Sequence, residues 1–268
     1  MKVFLSACLA ATLASSGAIA ADALAGNPPA DGGDTSWAFQ VTPYLWAAGI
    51  KGSISPFRSG PTIGVDKSFS DVMHDLNLGG FVNVWGRYDR FVFSGDMMYV
   101  DTTDEKTSGP LPPLPPPLPP LTSVNGSVDT KEFMSTLQAG YRVYDSPAFT
   151  LDALGGVRFW HISNQVTVQA GALSGSYKES FGWADPVIGA RAFVRMTDAL
   201  SLQAQADFGG FDVGSRQTWQ VLATANYVVN NHLSVSAGYK VLSVDYRSDG
   251  HVFDTRLSGP VLGATWRF

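Results

Sequence analysis

Read back from its C-terminus, the chain alternates apolar and polar residues with a period of two over most of its length. Leu262, Ala264, Trp266 and Phe268 fall on one face, Thr265 and Arg267 on the other. Leu233, Val235, Ala237, Tyr239 and Val241 alternate with Ser234, Ser236, Gly238 and Lys240. Trp219, Val221, Ala223, Ala225 and Tyr227 alternate with Thr218, Gln220, Thr224 and Asn226, and Leu200, Leu202, Ala204, Ala206 and Phe208 with Ser201, Gln203, Gln205 and Asp207. Successive side chains of a strand point to opposite faces, so the pattern predicts strands that are apolar on one side and polar on the other. The same reading places strands near residues 37–50, 76–87, 91–101, 131–144, 149–162 and 186–196, about ten in all. Several exceed the five or six residues usual in soluble sheets and match the nine to eleven that a tilted strand needs to cross a bilayer.

The connections alternate in length. Short turns stand at Tyr88-Asp89-Arg90, Asp145-Ser146-Pro147, Thr197-Asp198-Ala199 and Val229-Asn230-Asn231, and long ones over residues 51–75, 102–129, 163–185, 209–217 and 247–255. Outer-membrane barrels place short turns in the periplasm and long loops outside. The expectation is therefore an all-β fold, a transmembrane antiparallel up-and-down β-barrel of about ten strands over residues 36–268, with eight and twelve as the neighbouring even counts. Both termini would be periplasmic. On the apolar face, Phe91, Tyr141, Phe149, Tyr227, Trp266 and Phe268 fall near the short-turn ends, and Tyr99, Phe159, Phe208, Trp219 and Tyr239 near the long-loop ends. That spacing suits two aromatic girdles around a hydrocarbon band of about 25 Å.

The first residues are read separately. Lys2, the apolar run 3–13 and Ala18-Ile19-Ala20 make a signal peptide over residues 1–20 with an A-x-A cleavage site, followed by a flexible N-terminal segment over residues 21–35. The expected address is the bacterial outer membrane. Cys8, the only cysteine, precedes most of the apolar run and leaves with the leader, which excludes disulfides and thiol chemistry from the mature chain. Charged residues make up only 15% of the chain, and outside the leader there is no run of 18 apolar residues, which excludes a helical membrane protein. The net charge of −5, one unit more negative once Lys2 is removed, argues against a nucleic-acid partner.

Several stretches carry a resemblance: TPYLWAAGIKG from Thr42, SFSDVMHDLNLGG from Ser68, WADPVIGARAF from Trp183, VGSRQTWQVLATANY from Val213 and GYKVLSVDY from Gly238. They resemble a broad group of proteobacterial outer-membrane β-barrel proteins, loosely of OmpA and OmpW type. The terminal Trp266-Arg267-Phe268 resembles the signal by which such barrels are recognised for insertion, with Trp266 and Phe268 as its aromatic members. The resemblance spans the mature chain and implies fold and location, with outer-membrane lipid, lipopolysaccharide and the insertion machinery as partners. It implies no activity.

The inward face is expected to carry a polar network of Arg87, Asp96, Glu132, Arg142, Asp152, Arg158, Arg191, Arg195, Asp207 and Lys240. A barrel of eight to ten strands is little wider inside than its side chains, so these charges are read as pairs across a mostly closed lumen before they are read as ion-conducting groups. Candidate chemistry is sparse. His232 falls in a short turn and His161 at a strand end, both structural readings; His74, in Asp71-Val72-Met73-His74-Asp75, and His251, beyond Asp249-Gly250, fall on the external side, where a histidine beside an aspartate is a candidate general base. No nucleophile motif accompanies them, no ligand spacing suggests a metal, and no cofactor motif is present, so the chain is read as a non-enzymatic structural, narrow-pore or surface-interaction protein. Two alternatives stay open, a small-solute porin and a surface barrel enzyme of the protease or lipid-modifying type. The tract GPLPPLPPPLPPLT, residues 109–122, is expected to be a proline-rich external loop insert, since proline supplies no amide to a sheet.

Overall fold

The computed structural model describes residues 37–58, 60–108, 124–171 and 173–268. The leader, the segment 21–35 and the tract 109–122 lie outside the described residues. Twelve strands and one short helix follow one another: β1 (Trp37–Trp46), β2 (Gly49–Ser55), β3 (Ile63–Lys67), α1 (Phe69–Asp75), β4 (Leu76–Tyr88), β5 (Phe91–Ser108), β6 (Val124–Asp145), β7 (Phe149–Ala170), β8 (Leu173–Arg195), β9 (Leu200–Gly210), β10 (Gln217–Val228), β11 (Leu233–Ser248) and β12 (His251–Arg267).

All are antiparallel members of one sheet, in the order β1, β4 to β12, β2, β3, and a ladder between β1 and β12 closes it. Strands β1 and β2 are two parts of one wall strand. Both pair with β12, and Trp46↔Val261 and Gly49↔Ser258 belong to a single unbroken register. The interruption falls at Ala47, whose amide donates to the carbonyl of Pro260 at 2.9 Å; Pro260 has no amide to return. The wall therefore has ten strands, and the β1–β12 ladder closes it across the apolar band, while β3 and the extensions of β5 and β8 keep one side unpaired beyond it.

Turn chemistry explains the short connections. Tyr88 pairs directly with Phe91, leaving the two-residue turn Asp89-Arg90 with Asp89 at φ 53°, a left-handed conformation that aspartate tolerates better than most residues. Ser146 brackets its turn by donating to the carbonyl of Phe149 and accepting its amide. On the outer surface Phe93, Leu137, Ile188, Val221 and Leu262 are exposed between aromatic residues at both margins: Trp37, Phe91, Tyr141, Tyr227 and Trp266 towards the short turns, and Phe133, Phe159, Phe208 and Tyr239 towards the other end. Such a band belongs in a bilayer.

The long connections differ from the sequence expectation. The β5–β6 ladder runs on to Ser108↔Val124, β6–β7 to Val124↔Ala170, β7–β8 to Ala170↔Leu173 and β11–β12 to Ser248↔His251, so the described parts of 102–129 and most of 163–185 and 247–255 are strand rather than loop. Beyond the bilayer band the outward residues are Ser, Thr, Asp, Lys and Gln, which removes the apolar contrast that marks a strand in the sequence without removing the ladder. The stretch 51–75 also folds: β2 and β3 form a hairpin paired from Ile54↔Ile63 to Ile50↔Lys67, and α1 follows, started by a capping box in which Ser68 and Asp71 exchange hydrogen bonds. The β9–β10 connection remains a turn, with Gly210, Phe211 and Asp212 all at positive φ.

Candidate functional site

Because strand residues alternate, every second side chain points into a lumen barely wider than two side chains. Three layers fill it. In the middle, Arg158 of β7 makes four hydrogen bonds to three residues: its Nε donates to Thr136 of β6 at 2.9 Å, Nη1 to Thr218 of β10 at 3.0 Å, and Nη2 to both oxygens of Asp207 of β9 at 2.8 and 3.0 Å. Beside it, Lys240 of β11 meets Asp96 of β5 at 2.6 Å, and the Tyr44 hydroxyl joins both, accepting from Lys240 at 2.8 Å and donating to Asp96 at 2.9 Å.

Towards the extended end the lumen is apolar. Trp46, Met98, Met134, Trp160, Ile162, Leu242, Val244, Phe253 and Leu257 are buried together. Trp183 of β8 stacks on Tyr246 of β11 with ring centroids 4.0 Å apart, and Phe181 stacks on His251 of β12 at 4.2 Å. The β2–β3 connection lies over this stack. The Arg58 amide donates to Glu179 of β8 at 3.0 Å, Asn164 donates to the Pro56 carbonyl at 3.3 Å, and Phe57 packs against Tyr177. Sequence reading expected a polar network along the lumen; its extended half is instead an aromatic plug. The inward residues there are largely bulky and apolar, with Glu132, Asn164, Glu179 and Asp185 among them, on strand segments whose outward faces are polar.

Towards the short turns lies a polar vestibule with a cavity of about 70 Å³ lined by Gln40, Thr42, Asn83, Asp96, Arg191, Gln203, Gln205, Gln220, Thr224, Asn226, Ser234, Ser236, Lys240, Thr265 and Arg267, among others. Arg142 binds Asp152 at 2.9 Å and reaches Asp145 at 3.8 Å. Arg191 donates to Gln203 at 2.8 Å and sits over the Trp85 ring at 5.0 Å. Arg87 donates to the Asp89 carbonyl at 2.8 Å, and Arg195 lies on the same inward row as Arg191. Glu132 stands apart from these pairs, on the inward face level with Val100 and Ile162, with no hydrogen-bond partner among the described residues.

Some of what organises the lumen is invisible in the alternation. Asp185, at the edge of an expected loop, is fully buried; it accepts the Ser215 amide at 2.6 Å, the Ser215 hydroxyl at 2.9 Å and the Trp183 indole N–H at 2.9 Å, tying the β9–β10 turn to β8. Gly214 permits this approach, since a Cβ there would run into the carbonyl oxygen of Ala184. The two candidate histidines lie in opposite settings. The His74 side chain is 90% exposed, 3.3 Å from Asp75, whereas His251 is 3% exposed with Nε2 3.5 Å from Glu179. Asp75 is already engaged: Lys67 donates to it at 2.7 Å and to Asp104 of β5 at 2.8 Å, which ties the β2–β3 hairpin and α1 to the wall. Lys67 holds the Asp75 carboxyl below the ordinary carboxylate range. Burial alone would lower the Lys67 ammonium, but hydrogen bonds to Asp104 and Asp75 raise it above its ordinary value. Among the described residues no group of three or more His, Cys, Asp or Glu side chains is placed to hold a metal.

No protein-family model matches the sequence, and a search of curated proteins finds no match. Solved structures similar in architecture include the outer membrane protease OmpT from Escherichia coli, at 10% identity and a TM-score of 0.49 over 87% of this chain and 96% of that one. Others are the translocator domain of the autotransporter NalP from Neisseria meningitidis, at 13% identity and a TM-score of 0.49 over 88% and 90% of the two chains, and Ail, the attachment invasion locus protein of Yersinia pestis, at 13% and 0.33 over 87% and 99%. The likeness is one of barrel architecture, and no residue role is transferred from it.

Proposed function

We propose that the protein is an integral outer-membrane β-barrel that does not conduct solutes and is not an enzyme, and that its role is structural and surface-interacting. The observation that carries this reading is the lumen: Arg158 spans it from β6 to β10, and the Trp183–Tyr246 and Phe181–His251 stacks fill it above. A sugar-sized path would require both layers to move. The exposed apolar band with aromatic margins supports insertion in a bilayer, and Trp266-Arg267-Phe268 supports recognition by an insertion machinery. Strands β5 to β8 run beyond that band and present a polar outer face, the surface on which lipopolysaccharide headgroups or a surface ligand would be met. Against catalysis stands the engagement of Asp75 by Lys67, which leaves exposed His74 beside a carboxylate already neutralised.

Reconstitution into planar bilayers tests this reading. The expected result is heat-modifiable, folded protein without stepwise conductance. Steady nanosiemens openings would overturn it and return the small-solute porin to first place. Fractionation with the outer membrane and a mature N-terminus at or near Ala21 are expected from the same reading.

A further inference from the structure

The vestibule towards the short turns holds two buried guanidinium groups, Arg191 and Arg267, that meet no carboxylate within salt-bridge distance among the described residues. Arg142, on a neighbouring inward row, is matched: it binds Asp152 at 2.9 Å and lies 3.8 Å from Asp145. Asp152 faces Arg191 directly across the β7–β8 ladder but is held by Arg142 at 2.9 Å. The nearby ammonium of Lys240 is matched by Asp96. Arg191 is thus left with a neutral acceptor, Gln203, and an aromatic face, Trp85.

Arg267 is the more telling group. It is 5% exposed, lines the same cavity as Arg191, and its Nε has no hydrogen-bond partner; the Asn226 amide nitrogen, also on the cavity wall, has none either. A buried cation without a counter-charge is unfavourable, and an unfilled donor adds to that cost. Both costs fall if an anion occupies the space. Guanidinium forks match tetrahedral oxyanions in geometry as well as charge, while amide and hydroxyl groups supply the remaining donors. The cavity of about 70 Å³ holds several waters at about 10–15 Å³ each, so it suits a small ion rather than a chain or a sugar.

We propose that this vestibule binds one small oxyanion of the phosphate or sulfate class, with Arg191 and Arg267 as its principal ligands and Asn226 as a donor. The assignment goes beyond the proposed function and does not depend on it: a conducting or a closed barrel would carry the same pair of guanidinium groups, and conductance is read in a separate experiment.

The test uses the full mature chain folded in dodecyl maltoside micelles. Sodium sulfate, sodium phosphate or sodium acetate replaces sodium chloride at constant ionic strength and pH 7, and binding is read by calorimetry. The expected result is one saturable sulfate or phosphate per barrel, with acetate weaker because it offers two oxygens to the forks. Arg191→Gln and Arg267→Gln should each weaken it roughly tenfold, the usual weight of a lost charge-assisted fork, while Lys51→Gln, on the exposed outer surface, should leave it unchanged. Absence of saturable binding, equal binding by the arginine variants, or equal weakening by Lys51→Gln would each overturn the assignment. Should the arginine variants lose heat-modifiable mobility, Asn226→Leu, an uncharged change in the same cavity, decides instead: weakened sulfate binding supports the site and unchanged binding refutes it.

Discussion

Arg158 and Asp207 meet in the centre of the barrel with no solvent exposure on either side chain, one guanidinium nitrogen lying 2.8 and 3.0 Å from the two carboxylate oxygens. They come from β7 and β9, separated by all of β8, so the pair joins wall strands that never share a ladder. Burial makes the pair a register lock more than a source of net stability, since desolvating both charges offsets much of their attraction.

This asymmetry gives the first prediction. Asp207→Ala should destabilise the barrel by about 3–5 kcal/mol, because it leaves the Arg158 charge buried without its partner. The double change Arg158→Leu with Asp207→Leu should cost much less than the two single changes together. Denaturant titration of the folded, heat-modifiable form measures all three. Additive losses would show that the two side chains do not act as a unit.

The second prediction concerns pH at the extended end, outside the bilayer band. Asp75 has a depressed pKa when folded, so its contribution is present above its unfolded value of about 4 and is lost as pH falls through the lower, folded one. Lys67 has a raised pKa, so its contribution is present below its unfolded value of about 10.4 and is lost as pH rises through the higher, folded one. Attachment of α1 and the β2–β3 hairpin to β5 should therefore hold across neutral pH and loosen at both extremes. Lys67 is about one-third exposed, so the effect should be local and no larger than about 1 kcal/mol. Hydrogen exchange of the α1 amides at pH 7 and pH 3 reads it, and Lys67→Met should bring the pH 7 rate close to that at pH 3.

Deletion of residues 110–120 supplies the third prediction. Ser108 and Val124 are already direct partners at the end of the β5–β6 ladder, so a short turn can join them. Loop closure changes by only about 0.6 kcal/mol per doubling of length, and the shortened barrel should fold with unchanged midpoint. With an intact tract, protease added to whole cells should cut between β5 and β6, because the ladder ends there on the side opposite both termini. Failure of the deletion to fold, or protection of the tract on intact cells, would contradict the prediction.

What the chain determines by itself is local. Period-two alternation sets which side chains face in and which face out, and turn residues such as Asp89 set where the chain reverses, because both depend on residues within a few positions of each other. Ten strands, the closing end and the inward position of Arg158, Asp207, Lys240 and Asp96 follow from that alone. Partner choice across the lumen does not follow. Lys240 and Asp96 are 144 positions apart and meet only because strand tilt and ladder register bring β11 opposite β5, while Tyr44 is bound between them by the same geometry. The strand extensions and the aromatic plug also needed the assembled barrel. Where no lipid covers the outer face, polar residues can stand on the outer side of a paired strand, so apolar contrast disappears although the ladders between β5, β6, β7 and β8 continue. His251 makes the same point: a histidine after Asp249-Gly250 reads as an exposed loop residue until β12 is extended to begin with it and Phe181, from the far wall, covers its ring.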